Sequence, residues 1–396
     1  MANTLLTPTA VTREALRILH QKLTFIGSIN RQYDDSFAKE GAKIGDTLKI
    51  RLPNQYTVTN GATLTTQDTS ETSVSLQVAT QKHVGMNFTS AELSLSMDDF
   101  SKRIIEPAMS VLAASVEADA LGTMRKDVWQ QANNTAAAIN FANVLAGRRK
   151  LNDALAPPGD RTALLSSNDS ANLVDALKGL FQDDGQIAKQ YREGYMGRTA
   201  GFDFAESTHL GTQLRGSANG SYVVTTTSVS GAVTLAVQTG TGTFKAGEII
   251  TIANVNMVHP ESKVSTGIPQ QFVVTADSAG GSATLSVSPA MFASGANQNI
   301  DAYPQAAAAV TVVGAVSTNY GQSLVYHKDA FTFATADLVM PKGIDWGARE
   351  VFDGISLRIV RDYNISNDTL PTRCDILYGF KTLRPQLACR LANLAG

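Results

Sequence analysis

The sequence is poor in cysteine, with Cys374 and Cys389 as its only two in 396 residues. Two cysteines cannot build the disulfide framework of a small secreted protein, so we expect the chain to be made in a reducing compartment. The first residues carry no basic segment followed by a long apolar run, and nowhere do ~18 apolar residues follow one another. We therefore expect neither a signal peptide nor a membrane span.

Charge is also scarce, because charged residues make up 17% of the chain against an average of ~25%. The net charge of −2 gives no overall attraction to nucleic acid or to anionic lipid. A polar but weakly charged surface favours a protein that buries much of that surface against copies of itself. The hydrophobic content of 43% is enough for a sizeable core, and the length allows two or three domains.

The motifs of common enzyme and cofactor sites are missing. The sequence has no GxxxxGK[ST], GxGxxG, HExxH, CxxC or GxSxG pattern. Its five histidines are scattered without metal-ligand spacing: His20, His83, His209, His259 and His327. No arginine-rich arm is present either, so any contact with nucleic acid would be weak and non-specific. We predict no catalytic residue, no metal site and no cofactor.

The strongest local pattern runs from about Asp98 to Trp129 and predicts a long helix. Apolar residues recur at spacings of three to five, alanines fill the gaps, and Arg125 and Lys126 lie in the last turns, where the helix dipole favours them. Pro107 predicts a bend, with the straight part beginning near Glu106. The predicted buried face consists of Ile105, Met109, Leu112, Val116, Leu121, Met124 and Val128.

The N-terminal third predicts a helix followed by strands. Thr12 is the expected cap of a helix that buries Leu16, Ile18, Leu19, Leu23 and Ile26. Alternating residues predict strands at 48–52, 74–78 and 84–88. Between the first two strands lies a threonine-rich stretch with an Asn60-Gly61 turn, which predicts a projecting two-stranded flap. An isolated hairpin is marginal in water, so we expect this flap to need another subunit for order.

After the long helix, the pattern predicts a helix over 139–155, a strand over 161–166 and a helix from about 168 to 181. Glycines at 194, 197 and 201 indicate tight turns. From Gly216 to Tyr320 only six charged residues occur, and short alternating runs repeat between turn residues. These runs predict an inserted antiparallel barrel or sandwich with strands at 222–227, 232–238, 248–252, 271–275 and 283–287. Long strands of the main body are expected at 355–362 and 374–381.

Several stretches together resemble the major coat proteins of short-tailed bacteriophages, which share the Hong Kong 97 capsid fold. The order of elements agrees with that family along nearly the whole chain. The stretches are 197–203 (GRTAGFD), 244–248 (FKAGE), 250–253 (ITIA), 270–275 (QQFVVT) and 372–379 (TRCDILYG).

The resemblance implies an α+β fold of the Hong Kong 97 type, with a long spine helix, an extended β-hairpin loop, an axial domain and an inserted antiparallel β-barrel. It implies the following division: 1–30 an N-terminal arm; 31–88 the extended loop region; 89–132 the peripheral domain with the spine helix; 133–212 the first part of the axial domain; 213–318 the inserted barrel; and 319–396 the return through the axial and peripheral domains.

The function implied is that of a major capsid protein that assembles into an icosahedral shell around phage double-stranded DNA. The implied partners are copies of the chain itself, in pentamers and hexamers, with a scaffolding protein, a portal and non-specific contact with DNA. The implied location is the virion, after assembly in the host cytoplasm. We hypothesise inter-subunit contacts at polar side chains of the flap and the spine helix: Arg51, Asn60, Asp68, Glu71, Lys102, Arg103 and Arg125.

Two other functions remain open on the residues alone. The threonine-rich β insertion is compatible with a tail or surface adhesin, although an adhesin needs neither the long helix nor the flap. The second alternative is an enzyme whose site has no recognisable motif. Electron microscopy separates the three, because they predict shells, fibres and small particles.

Overall fold

The computed structural model describes residues 8–31, 47–59, 61–62, 64, 66–67, 72–88, 101–177, 197–219, 221–365 and 369–394. The chain divides into two compact units. The first consists of Met1–Arg51, Ser73–Leu121 and Phe331–Leu383, and the second of Leu52–Thr72, Gly122–Ala330 and Arg384–Gly396.

The helices are α1 (Pro8–Lys22), α2 (Thr24–Ser28), α3 (Glu106–Asp127), α4 (Phe141–Asp153) and α5 (Ser167–Leu177). A π-helical turn, Ser101–Ile105, leads into α3, and 3-10 turns lie at Lys328–Ala330 and Pro385–Leu387. The strands are β1 (Thr47–Arg51), β2 (Ser73–Gln77), β3 (Thr80–Phe88), β4 (Gln131–Asn134), β5 (Arg161–Leu165), β6 (Arg198–Thr199), β7 (Phe202–Glu206), β8 (Thr212–Leu214), β9 (Val223–Val224), β10 (Ala232–Gln238), β11 (Ile249–Val258), β12 (Ser265–Val274), β13 (Ala283–Met291), β14 (Val310–Val312), β15 (Asn319–His327), β16 (Phe331–Ala336), β17 (Trp346–Phe352), β18 (Ile355–Arg361), β19 (Leu370–Thr382) and β20 (Ala388–Leu394).

The first unit is built on an antiparallel sheet of five strands in the order β16-β19-β18-β17, with β3 also paired to β19. The long strand β19 pairs with β3 from Leu370↔Phe88 to Tyr378↔Thr80. A separate two-stranded sheet, β1-β2, contributes Ile50 and Leu76 to an apolar cluster with residues of β16 and β19, and Val78 joins it directly after β2. In β1 and β2 one buried position each, Ile50 and Leu76, lies between more exposed neighbours, whereas β16 is buried at every position.

Helix α3 confirms the predicted long helix and its apolar face. It begins at Glu106, where the straight part was expected, because Pro107 lies in the first turn and needs no N–H donor there. All seven residues of the predicted face are buried, none above 2% exposure: Ile105, Met109, Leu112, Val116, Leu121, Met124 and Val128. The proposed N-terminal acids at 98 and 99 lie outside the described residues.

The second unit contains a seven-stranded mixed sheet in the order β4-β20-β15-β5-β7-β6, with β8 also paired to β15. The predicted helix at 139–155 is α4, which Asn140 caps by accepting a hydrogen bond from the Asn143 N–H at 3.0 Å. The predicted strand at 161–166 is β5. Gly197 and Gly201 have φ values of 59° and 81°, which confirms the predicted tight turns at these two positions.

Residues 223–312 form a six-stranded antiparallel sheet in the order β14-β11-β12-β13-β10-β9. Hydrogen bonds also join the segments at its two ends, from the Val310 N–H to the Tyr222 carbonyl and from the Val224 N–H to the Ala308 carbonyl, each 2.9 Å. One apolar cluster fills this sheet, with Tyr222, Phe244 and Phe272 as its large members. The insertion therefore has a core of its own.

Three local predictions differ from the structure. Thr12 is not a cap, because α1 begins at Pro8 and Thr12 lies inside it, fully buried. The insertion strand expected at 222–227 is only the two-residue β9, whereas β11 and β12 extend well beyond 248–252 and 271–275. Over the described part of 52–72 no strand continues β1 or β2, so the flap is not the long two-stranded ribbon expected.

Candidate assembly surfaces

The flap leaves the first unit where β1 and β2 end. Arg51 faces Ser73 as the last paired residues, and the Leu52 N–H still donates to the Thr72 carbonyl at 2.8 Å. Farther along the flap, the side chain of Gln67 forms hydrogen bonds with the backbone of Thr57 on the opposite arm. Its Nε2 donates to the Thr57 carbonyl at 2.5 Å, and its Oε1 accepts from the Thr57 N–H at 3.0 Å. The side chain of Gln67 thus connects the two arms of the flap at Thr57.

Large apolar side chains on the flap are exposed. Tyr56 is 57% exposed, Val58 92% and Leu64 86%. Single exposed apolar residues are normal, but three on one short extended segment mark a surface suited to contact. Covering such a side chain fully contributes ~1.5–3 kcal/mol. Burying these side chains against another surface would therefore provide favourable binding free energy, because they remain exposed in the isolated subunit.

Of the predicted contact residues, Arg51 and Arg103 are exposed, on the last residue of β1 and in the turn before α3. Lys102 lies beside Arg103 in that turn. Asn60, Asp68 and Glu71 fall outside the described residues. Both exposed arginines can reach a partner.

The prediction for Arg125 is wrong. This side chain is only 6% exposed and donates hydrogen bonds to the carbonyls of Leu210, Gly211 and Thr212, at 3.1, 2.9 and 3.2 Å. Burial lowers its pKa. Arg125 holds the segment around β8 inside its own unit and is not available to a neighbouring subunit.

Buried polar groups fasten the insertion to the seven-stranded sheet. The Glu248 carboxylate accepts from the Gly216 N–H, and the Gln271 side chain exchanges hydrogen bonds with the Gln131 backbone at 2.9 and 3.1 Å. Arg390, fully buried on β20, donates to the Gly247 carbonyl at 2.7 Å. Burial, together with nearby Arg125, lowers the pKa of Arg390 to about 9.

Burial raises the pKa of Glu248, against the opposing effect of the Gly216 and Lys245 N–H groups and of Arg215. Sequence reasoning missed Glu248 and Arg390 as structural residues, since their partners are far away in the chain. The scarcity of charge from Gly216 to Tyr320 was the available signal for Glu248, because one of only six charged residues in that stretch needs a reason.

The described residues hold no arrangement typical of a reaction centre. They contain no group of three His, Cys, Asp or Glu side chains that could hold a metal ion. Two cavities, one beside Trp129 and one beside Tyr320, each enclose about 20 Å³, room for about one water molecule. None of the described helices is long and apolar enough to cross a membrane.

Comparison with known protein families gives a match along nearly the whole chain. The model of the family described as "P22 coat protein - gene protein 5" matches residues 21–391. The chain belongs to the P22 coat protein family. It is therefore a major capsid protein, which forms the shell of a phage particle with copies of itself. The adhesin alternative is accordingly set aside, and nothing supports an enzymatic activity for this coat protein.

Solved structures similar to the coat protein include phage capsid proteins. The protein of Mycobacterium phage Che8 has 12% identity and a TM-score of 0.46, covering 93% of this chain and 90% of that chain. The capsid of cyanophage P-SCSP1u gives 12% identity and a TM-score of 0.44, with 94% and 93% covered. The CUS-3 coat protein I-domain has 26% identity and a TM-score of 0.20, covering 24% of this chain and 98% of that domain. No curated protein matches significantly.

Proposed function

We propose that the coat protein has the Hong Kong 97 fold, with α3 as its spine helix and residues 223–312 as a closed barrel inserted into an axial domain. The hydrogen bonds between the two ends of the six-stranded sheet support a closed barrel, since closure removes the exposed edges. The same proposal divides the chain into six parts. These are the N-terminal arm at 1–30, the loop region at 31–88, the peripheral domain at 89–132, the axial segments at 133–212 and 319–396, and the insertion at 213–318.

In this proposal the subunits tile an icosahedral shell as pentamers and hexamers, and the flap lies across the next subunit. The exposed side chains of Tyr56, Val58 and Leu64 carry this step, because a neighbour is the surface that can cover them. In a closed ring the contact is heterologous, so the flap of each copy meets a different surface on the next copy, and the same pair of surfaces meets at every contact of the ring. Assembly then supplies the burial that one subunit lacks.

Charged and polar residues next to the apolar ones set the register of the contact. We assign this role to Arg51 at the base of the flap and to Lys102 and Arg103 before α3, with Asn60, Asp68 and Glu71 on the flap itself. Rim charges of this kind affect association rate and specificity more than affinity. Removing one of them should slow assembly without unfolding the subunit.

Further partners follow from the kind of shell. A scaffolding protein guides curvature, a portal occupies one vertex, and the packaged double-stranded DNA touches the shell non-specifically. The net charge of −2 supports weak DNA contact, since basic arms that would neutralise phosphate are lacking. Assembly takes place in the host cytoplasm, where two unpaired cysteines stay reduced.

The experiment compares shell formation by three variants. Deletion of 56–70 and the double substitution Val58→Ser with Leu64→Ser should each leave the thermal unfolding transition close to that of the wild type but abolish closed shells in electron micrographs. The matched control is Val229→Ser, an equally apolar side chain that is 69% exposed on the insertion. Normal shells from the flap variants would refute the proposed role of the flap.

A further inference from the structure

Helix α2 begins without a cap of its own. The residue before it, Leu23, has an extended backbone and no side chain that can bond the first N–H groups. Such groups need partners when the helix end is buried. The Phe25 N–H donates to Glu117 Oε1 at 2.6 Å, and the N–H groups of Thr24 and Ile26 also bond this carboxyl group. A glutamate of α3, 92 residues away, thus caps α2.

Glu117 is enclosed by apolar groups. It is 2% exposed, and Phe25 and Ile26, whose N–H groups it accepts, are fully buried. The ring of Phe25 packs edge-on against Phe331 at 5.5 Å between centroids. Burial raises the pKa of Glu117 to about 7, and the three backbone hydrogen bonds only partly oppose it. The free-energy cost of burying the ionised carboxylate is therefore larger than the stabilisation it gains from the three N–H groups.

The surrounding charges do not decide the protonation of Glu117. Helix α2 has no ionisable side chain, and burial together with the backbone N–H groups of Thr24 to Ile26 sets the pKa of Glu117. Three charged groups of the flanking elements have ion-pair partners of their own. Lys22 of α1 pairs with Glu106 at 3.5 Å, Arg31 with Asp353 at 2.7 Å, and Asp119 of α3 with Lys82 of β3 at 2.5 Å.

The segment that Glu117 holds is also attached at its other end. The Asn30 N–H donates to the Phe331 carbonyl at 3.3 Å, and the Asn30 carbonyl accepts from the Phe333 N–H at 3.1 Å. We propose that Glu117 is a proton-dependent clamp, whose protonated form docks residues 24–31 firmly on the first unit and whose ionised form loosens them. The added proton occupies one carboxyl oxygen and leaves Oε1 free to accept from Phe25.

The difference in the pKa of Glu117 between the docked and undocked states determines how docking depends on pH. When the segment is undocked, the carboxyl group is solvated and has its ordinary pKa of 4.5, whereas in the docked state the pKa is about 7. The stabilising effect is therefore complete below the lower value and is lost as pH rises through the higher one. Between pH 6 and pH 8 the docking equilibrium constant should fall about tenfold.

Hydrogen exchange with mass spectrometry on the full-length, unassembled coat protein tests the clamp. After correction for the intrinsic pH dependence of exchange, the protection factor of peptides covering 24–31 should fall about tenfold from pH 6 to pH 8. Glu117→Gln mimics the protonated carboxyl, so its protection should stay constant across this range. The matched control is Glu106→Gln on the same helix, which should keep the wild-type dependence.

Constant protection of 24–31 in the wild type would overturn the proposal, and so would an unchanged pH dependence in Glu117→Gln. If Glu117→Gln does not fold, the wild-type profile still decides, with the peptide covering α4 as an internal reference that should not respond. A parallel loss of protection in that reference would show global loosening and contradict a local clamp.

Discussion

The phenolic oxygen of Tyr378 donates a hydrogen bond to Asp119 Oδ2 at 2.7 Å, which joins strand β19 to helix α3 within the first unit. Asp119 also pairs with Lys82 of β3 at 2.5 Å. Burial first, and then Asp119 itself, raises the pKa of Tyr378, so the hydroxyl remains a donor at any physiological pH. One carboxylate thus holds the two neighbouring strands β3 and β19 against helix α3.

Tyr378→Phe should lower the free energy of unfolding by ~1–2 kcal/mol, because it removes a hydrogen bond to a charged group and keeps the ring. Denaturant unfolding measures this change. In Asp119→Ala the same tyrosine substitution should cost clearly less, since the acceptor is already gone. Equal costs in both backgrounds would show that this hydrogen bond contributes nothing to stability.

Asp375 is a fully enclosed ion-pair partner in the first unit's sheet. It is 0% exposed and accepts from Arg358 at 2.7 Å and from Arg373 at 2.6 Å. Burial alone would raise its pKa, but hydrogen bonds from Arg358, Arg373 and Gln81 outweigh it and lower the pKa. The stability that Asp375 contributes is therefore present above the ordinary pKa of 3.8 and is lost as pH falls through the lower, folded-state value.

We expect Asp375→Asn to destabilise the first unit by ~2–3 kcal/mol at pH 7, since it leaves Arg358, whose side chain is 14% exposed, and Arg373 without their shared carboxylate partner. The control is Asp345→Asn, whose 47%-exposed carboxylate pairs with Arg361 and should matter by less than ~1 kcal/mol. Thermal unfolding at pH 7 and at pH 3 compares them. Similar losses for the two substitutions would contradict the structural role of Asp375.

Gly147 lets α4 lie close to the seven-stranded sheet. A Cβ atom there would lie 2.9 Å from both Leu391 Cδ2 and Val325 Cγ2. Gly147→Ala should therefore destabilise by ~1–3 kcal/mol despite the better helix propensity of alanine. Gly122→Ala is the matched control, because a Cβ atom on that exposed position of α3 meets nothing within 4 Å and should stabilise by up to ~1 kcal/mol. Chemical denaturation measures the free energy of unfolding of both variants. A change of the same sign for Gly147→Ala and Gly122→Ala would contradict this packing.

The two cysteines should be inert in the folded coat protein. Burial raises the pKa of Cys374 to about 12 and of Cys389 to about 11. Thiolate, the reactive form, is therefore almost absent at pH 8. A thiol-reactive dye should label neither residue until denaturant is added and both afterwards. Rapid labelling of the native protein would show that these strands open.

The sequence predicted best where one local pattern decides the structure. The 3.6-residue periodicity of Ile105 to Val128 correctly placed seven buried apolar residues on α3 and directly beside it, since such a face is dictated within a single element. Thr12 was assigned wrongly because Pro8, with its fixed φ, starts the helix a turn earlier. The prediction for β9 was too long, because a run of valine and threonine favours a strand whether or not a neighbouring strand is there to pair with it.

Long-range contacts account for the remaining differences. Arg125 resembled a solvent-exposed, dipole-stabilising residue, and only the fold brings the carbonyls of 210–212 onto it. The sequence did not indicate a role for Glu117, because its partners are backbone groups 91 to 93 residues away, at Thr24 to Ile26. Backbone donors leave no trace in sequence, so a buried carboxylate of this kind is recognised only in three dimensions.

In our proposal, copies of the coat protein cover one another's exposed apolar side chains through the flap. Cryo-electron microscopy of particles assembled from the purified full-length chain tests it most directly. We predict closed shells of five- and six-membered rings in which density for residues 52–72, with Val58 and Leu64, lies on the adjacent subunit. Shells in which the flap packs on its own subunit, or a protein that stays monomeric under all assembly conditions, would contradict it.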